Sequence, residues 1–257
     1  MRLVITDLDG TLLDHDTYSF AGAQPALDLL RRLRAPVIFT SSKTRAEILM
    51  WRELMDNRHP FISENGGAVY YPPDYFPCSP EADVFGDPYA ELVQALEEAS
   101  AESACRVTGF ARMTVDEVAR ECGMAPALAL LAKRREFDEP FLAHDEDKLD
   151  ALLAAIAARG KRHTRGGRFH HITGKHDKAA AVRRLVERFR QTSPGVVTIG
   201  LGDSLNDAPF LNAVDVPVLV RSDSTDELKA AVPRGSVTQE RGSKGWGEAI
   251  FELFARQ

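Results

Sequence analysis

The sequence predicts an α/β protein whose parallel-sheet core is interrupted by an α+β insertion, and three observations predict it. The first 65 residues read β-α-β-α-β, the same rhythm resumes after about residue 173, and between about 84 and 172 short strands and helices follow a different order. At 257 residues the chain has room for one large domain or a core with a substantial insert.

Taken in order, Leu3-Val4-Ile5 is a short apolar run ending in Asp7-Leu8-Asp9-Gly10-Thr11, the pattern of a buried strand that runs into a polar loop. Pro25 sits near the first turn of a helical stretch with Leu27, Leu30 and Leu33 on one face. A second strand, Val37-Ile38-Phe39, follows. Thr44 and Glu47 form a capping box for a helix that buries Ile48, Trp51 and Met55, and Phe61-Ile62-Ser63 is a third strand. The Pro and aromatic stretch 70–77 breaks regular structure and marks the way out of the first segment. The insertion carries helices near 88–102, 114–121, 126–133 and 145–159, with strands at 105–109, 136–142, 161–164 and 168–173. Helix 177–190, strand 196–200, helix 204–213 and strand 216–220 complete the core, and 235–247 reads as a loop before a final helix. The expected division is a core of 1–83 and 173–257 split around an insert of 84–172.

Composition excludes several classes. Hydrophobic residues are 44% and charged residues 27%, an ordinary globular balance. A formal net charge of -6 argues against nucleic acid as a partner, because phosphate-backbone binding draws on excess Lys and Arg. No apolar run approaches the roughly 20 residues that cross a bilayer, and Asp7 comes too early for a secretory signal, so no membrane association and a cytoplasmic setting are expected. Cys78, Cys105 and Cys122 are odd in number and form no Cys-x-x-Cys pair, which indicates free thiols.

Asp7 and Asp9, two apart at a strand end, place carboxylates toward one crevice, where ligands of open α/β sheets bind. Alone, an Asp-x-Asp pair also fits a solvated turn or a helix cap. A second acidic loop, Asp203-Ser204-Leu205-Asn206-Asp207, follows another apolar strand late in the chain. Four carboxylates in one crevice repel each other, so cations must offset them. All-oxygen ligation suits Mg²⁺.

Asp7-Leu8-Asp9-Gly10-Thr11 and Gly202-Asp203-Ser204-Leu205-Asn206-Asp207 resemble the first and last signature motifs of the haloacid dehalogenase superfamily. Ser41, after the second strand, and Lys178, opening helix 177–190, stand where its hydroxyl and basic motifs fall. The resemblance implies a Rossmann-like parallel-sheet core with an inserted α+β cap and a phosphomonoesterase. In it Asp7 attacks phosphorus to form an aspartyl-phosphate, Asp9 acts as acid and base, and Ser41 and Lys178 hold the phosphoryl group. Asn206 orients Lys178 or the nucleophile, and Asp7, Asp9, Asp203 and Asp207 form the Mg²⁺ site. The spacing of Ser204 and Asp207 also matches a helix capping box.

About 30 residues separate Asp9 from Ser41 and over 130 separate Ser41 from Lys178, so the cap lies in the second gap, as in the C2-capped branch. Ser41-Ser42-Lys43-Thr44-Arg45-Ala46-Glu47, Phe61-Ile62-Ser63-Glu64-Asn65-Gly66-Gly67-Ala68, Arg165-Gly166-Gly167-Arg168-Phe169 and Gly174-Lys175-His176-Asp177-Lys178 resemble the mannosyl-3-phosphoglycerate phosphatase family. Asp138 and the pair His170-His171 depart from its pattern. The resemblance implies a small phosphorylated sugar bearing a carboxylate. Arg165 and Arg168, flanking Gly166 and Gly167, are candidates to grip that carboxylate, or else form a basic hairpin turn. Lys43, Glu64 and Asn65 are candidates for sugar hydroxyls or phosphate support, although Asn-Gly is also a common hairpin turn, and Arg135 is a further candidate. Other readings are a phosphatase for the glucosyl analogue or another sugar phosphate, a phosphomutase, and a non-catalytic sensor.

Overall fold

The computed structural model describes residues 1–166 and 168–254. The chain runs β1 (Arg2–Thr6), α1 (Gln24–Arg32), β2 (Val37–Thr40), α2 (Arg45–Leu54), β3 (Phe61–Ser63), β4 (Ala68–Tyr70) and β5 (Ala82–Val84). It continues through α3 (Tyr89–Ser103), β6 (Val107–Gly109), α4 (Val115–Cys122), α5 (Pro126–Ala132), β7 (Asp138–Ala143), α6 (Leu149–Ala158), β8 (Arg162–Gly166) and β9 (Phe169–Thr173). The last elements are α7 (Lys178–Thr192), β10 (Val197–Gly202), α8 (Ala208–Leu211), β11 (Val216–Arg221), α9 (Thr225–Ala231), β12 (Ser236–Arg241) and α10 (Gly242–Phe254).

Two sheets result. The larger has the order β12-β11-β10-β1-β2-β3-β4-β5 and is parallel from β12 to β3. Its central strand β1 is buried on both faces: Val4 packs with Leu30, Ile48 and Trp246, whereas Leu3 and Ile5 pack with Val182, Leu185 and Phe210. That alternation is why Leu3-Val4-Ile5 is an unbroken apolar run, as a parallel strand between two helix layers requires. The smaller sheet, β6-β7-β9-β8, lies wholly between residues 89 and 173 and is antiparallel. Helices α3 and α6 cover one face through Leu92, Leu152, Phe141 and Ile172, and α4 and α5 pack with Phe110 and Phe169 at the other. Among the described residues no helix is long and apolar enough to cross a membrane.

Several element expectations need correction. β4 and β5, antiparallel additions to the edge, were not expected, because three-residue strands show no readable period. The stretch 204–213 is a 3₁₀ turn at Leu205–Asp207 followed by the short α8, with Pro209 in its first turn. α9 was missed, and 235–247 is not a loop: it forms β12 and the first turns of α10. β12 is an edge strand with polar residues facing solvent, and α10 opens on glycines of low helix propensity, so neither announces itself. Tertiary packing overrides that propensity. Trp246 is fully buried there and its indole N–H donates to Thr6 Oγ1 at 3.0 Å.

Candidate active site

β1 and β10 run side by side with Ile5 opposite Gly200 and Thr6 opposite Leu201, and Asp7 N–H extends the ladder to Leu201 O at 2.9 Å. Both strands therefore release their acidic loops at one edge of the sheet. Lys178 is the first residue of α7, whose N-cap Asp177 accepts from Ala180 N–H at 2.8 Å. The buried Lys178 ammonium donates to Asp7 Oδ1 at 2.8 Å and to Asp207 Oδ1 at 2.7 Å. Asp207 Oδ2 accepts from the backbone N–H of Asp203 and Ser204 and from the Ser204 hydroxyl, so the capping box and the Lys178 contact hold together. Thr11 Oγ1 donates to Asp203 Oδ1 at 2.7 Å, and Ser222 Oγ to Asp203 O at 2.6 Å. Neither contact was anticipated; each comes from a side chain distant in sequence with no spacing to mark it.

One carboxylate oxygen from each of Asp7, Asp203 and Asp207 lies within 4.8 Å of the others. Burial raises the Asp7 pKa well above the ordinary range; Lys178 opposes this, and Asp207, Asp203 and Asp9 reinforce it. Asp203 is pushed up to about 7, first by burial and then by Asp207. Burial disfavours the Lys178 charge, yet Asp207 and Asp7 outweigh it and its pKa is raised. Three carboxylates sharing one ammonium leave negative charge uncompensated, and Gly10, at φ +72°, lies so near that an added Cβ would stand 2.5 Å from Asp203 Oδ2. This oxygen-only donor set fits a hard divalent cation. Beside it opens a cavity of about 710 Å³, lined in part by Gly10, Asp14, Asp203, Ser204, Arg221 and Arg241.

The carboxylate of Asp9, expected among the metal-site residues, is not part of that cluster. Its Oδ1 is 2.9 Å from Lys43 Nζ, which also approaches Glu47 at 4.0 Å and lies 5.0 Å from the Tyr18 ring centroid. Burial works against the Lys43 charge, but Asp9 and Glu47 prevail and its pKa is raised. Lys43 is thus engaged with Asp9 rather than free for a sugar. Tyr18 comes from an irregular loop and carries no sequence signal. Ser41 is fully buried just after β2, its hydroxyl accepting from Lys43 N–H at 3.2 Å.

Other candidates are placed differently from expectation. Glu64 is fully buried, and its carboxylate accepts the backbone N–H of Glu136 at 3.0 Å and of Phe137 at 2.8 Å, fastening the segment before β7 to the core. Asn65 lies in the turn of the β3–β4 hairpin, with its Oδ1 accepting from Asn206 Nδ2 at 2.9 Å. Asn206 is exposed and bonds Asn65, not Lys178 or Asp7. Arg135 is buried: its Nη1 donates to Ser42 O at 3.0 Å and lies 3.4 Å from Asp138 Oδ2, while Nε donates to Ala132 O. Arg165 pairs with His170 across β8 and β9 and shares its face with Ile172 and Phe141, the side covered by α3 and α6. Arg168 pairs with the Glu121 carboxylate at 2.9 Å and donates to Glu121 O. The two arginines therefore do not converge. Gly166 ends β8, and the Gly167 expectation falls outside the described residues.

No protein-family model matches the chain. It is 42% identical to a glucosyl-3-phosphoglycerate/mannosyl-3-phosphoglycerate phosphatase of Methanococcoides burtonii, over 99% of this chain and 98% of that one. A protein of the same description from Persephonella marina is 35% identical over 98% and 96%, and a mannosyl-3-phosphoglycerate phosphatase of Pyrococcus horikoshii 31% identical over 86% and 91%. Among solved structures, a haloacid dehalogenase-like hydrolase from Bacteroides thetaiotaomicron superimposes with a TM-score of 0.73 at 17% identity, over 98% of this chain and 99% of that chain. A sugar phosphatase of haloacid dehalogenase subclass IIB gives 0.70 at 16% identity, over 99% of each. Full-length similarity at 42% identity, on a fold shared with those hydrolases, makes the chain a member of the mannosyl-3-phosphoglycerate phosphatase family, phosphoric monoester hydrolases with a haloacid dehalogenase-like core and cap.

Proposed function

We propose that the protein is a Mg²⁺-dependent phosphomonoesterase that hydrolyses mannosyl-3-phosphoglycerate to mannosylglycerate and phosphate through an aspartyl-phosphate. The observation that carries this reading is the cluster of Asp7, Asp203 and Asp207 at the ends of β1 and β10, with Lys178 bonded to Asp7 and Asp207. Asp7 attacks phosphorus in line, held by the Lys178 ammonium at 2.8 Å. Asp9 protonates the departing alkoxide and then takes a proton from the water that cleaves the acyl phosphate, while Lys43 fixes its carboxylate. Ser41 and Lys178 hold phosphoryl oxygens. Asp7, Asp203 and Asp207 would hold Mg²⁺, which would supply the positive charge that offsets the cluster and polarises the phosphoryl group. Residues 84–172 act as a lid that excludes water and large substrates. Three free cysteines suit a reducing cytoplasm.

The names of two relatives join glucosyl and mannosyl compounds, which favours glucosyl-3-phosphoglycerate as a second substrate. The test is phosphate release from both compounds and from hexose phosphates, with Mg²⁺ and with EDTA, by wild type and Asp7→Asn. We expect Mg²⁺-dependent turnover of the glycosyl phosphoglycerates, abolished by EDTA and by Asp7→Asn. Better turnover of hexose phosphates would discard the named substrate, and an active Asp7→Asn enzyme would discard the mechanism.

A further inference from the structure

In the cap sheet, β9 sends successive side chains to opposite faces. His170 turns toward α3 and α6, its ring stacked on Phe141 at 5.4 Å and its Nδ1 2.8 Å from His163 Nε2. His171 turns to the other face, where α5 meets the core through Thr44 Oγ1 and Leu131 O at 3.0 Å. There its Nδ1 lies 3.0 and 2.9 Å from the two carboxylate oxygens of Asp138, which is fully buried at the start of β7. Burial disfavours the Asp138 charge, but His171 and then Arg135 prevail and hold it below the usual carboxylate range. Arg135 Nη1, on Asp138, also reaches Ser42 O at 3.0 Å, so the pair is braced against the loop that carries Ser41 and Lys43.

A carboxylate on one ring nitrogen fixes the orientation of an imidazole and leaves the other nitrogen to meet a ligand. The His171 side chain is 17% exposed, and Nε2 has no protein partner among the described residues. The cations around it are committed or displaced: Arg135 to Asp138 and Ser42, Arg168 to Glu121, Lys43 to Asp9, Arg165 to the opposite face, and Arg162 to the far end of β8 beside Thr173. We propose that His171, oriented by Asp138, is the residue that recognises the glycerate carboxylate, donating from Nε2. This rests on the glycerate-bearing substrate proposed above, and it moves carboxylate recognition from the Arg165–Arg168 turn to the centre of the cap sheet.

The test uses two ligands that differ in the carboxylate and carry no sugar, 3-phosphoglycerate and glycerol 3-phosphate, beside mannosyl-3-phosphoglycerate. His171→Asn keeps an amide opposite Asp138 but removes the Nε2 donor, whereas His171→Gln puts an amide near the Nε2 position. His171→Asn is expected to raise KM for both carboxylate-bearing compounds by about tenfold or more, as for loss of a charge-assisted hydrogen bond, with kcat little changed and KM for glycerol 3-phosphate unmoved. His171→Gln should recover part of that loss. An equal rise for glycerol 3-phosphate, or no change for any substrate, overturns the proposal. Should His171→Asn fail to fold, Asp138→Asn is read in the same way and should show a smaller rise with the same selectivity. If wild type ignores mannosyl-3-phosphoglycerate, the substrate reading has failed, and the ratio for the two small compounds alone judges His171. Where turnover is too slow, calorimetric binding of the two to Asp7→Asn, with and without His171→Asn, supplies that ratio.

Discussion

Glu64 shows how one side chain couples the halves of the molecule. Its carboxylate is pushed up to about 8, by burial above all; Arg135 and the Phe137 and Glu136 amides lower it, and Asp138 raises it. A carboxyl with a raised folded pKa binds a proton in the folded state that the unfolded chain has released. Its penalty is absent below the unfolded value near 4.5, grows as pH rises, and is complete above about 8, where it amounts to a few kcal/mol. Glu139, held near 7 chiefly by burial, adds to the same window. Stability measured by urea unfolding should therefore fall between pH 5 and pH 9, and Glu64→Gln, which keeps an acceptor for both amides, should lose part of that fall. An identical pH slope in the variant would show that Glu64 does not titrate there. A hairpin turn was one of two readings of Glu-Asn-Gly-Gly in the sequence, beside a ligand contact; the partner of its acid was not legible, because residues 136 and 137 are brought to it only by the folded cap.

At the scale of elements, the turn after β3 positions the helix that carries Lys178. Glu64, Asn65 and Gly66 all adopt positive φ, and Gly66, at +98°, lies so close to the start of α7 that an added Cβ would sit 2.3 Å from Asp177 O. Only glycine meets both the angle and the approach. Gly66→Ala should displace the α7 terminus, lowering stability by roughly 1–3 kcal/mol and kcat by at least about tenfold, since small errors in position are costly in phosphoryl transfer. Circular dichroism melts and phosphate release check this, and unchanged turnover would show that the α7 terminus does not depend on the turn. Elements with strong local signals were read correctly: the Thr44–Glu47 capping box holds as expected, with Thr44 N–H and Oγ1 both 2.9 Å from Glu47 Oε2. Leu33 was placed on the apolar face of α1 but is exposed at its C-cap, where the helix has ended.

At the scale of the whole molecule, cap and core are joined by contacts along one seam: Thr44 to Leu131, Arg135 to Ser42, Tyr70 to Glu136, and Glu64 to the 136 and 137 amides. Arg135 is the cation in this seam, facing Asp138 and influencing Glu64. Removing it takes a buried cation from Glu64 and leaves Asp138 paired with His171, and breaking a buried charge pair typically costs about 3–5 kcal/mol. Arg135→Ala should lower the melting temperature and speed hydrogen exchange at the Glu136 and Phe137 amides relative to β1. Unchanged exchange at those amides would show that the seam holds without the guanidinium.

The sequence by itself determined that two acidic loops and a lysine-opened helix meet at one end of a parallel-sheet core, and where along the chain the insertion falls. Apolar runs ending in Asp7 and Asp203, a helix opened by Lys178, and a gap too short for a cap before Ser41 are local or ordinal facts, and a parallel sheet has one edge where such strand ends meet. Tertiary structure alone decided which charged groups are committed to one another. Glu64 and Arg135, read as substrate contacts, hold the seam; Arg165 and Arg168 diverge because strand register and a Glu121 partner separate them; Asp9 turns to Lys43. The physical reason is that a buried charge must find a partner, and the partner is chosen by packing between segments far apart in sequence, which no local pattern records.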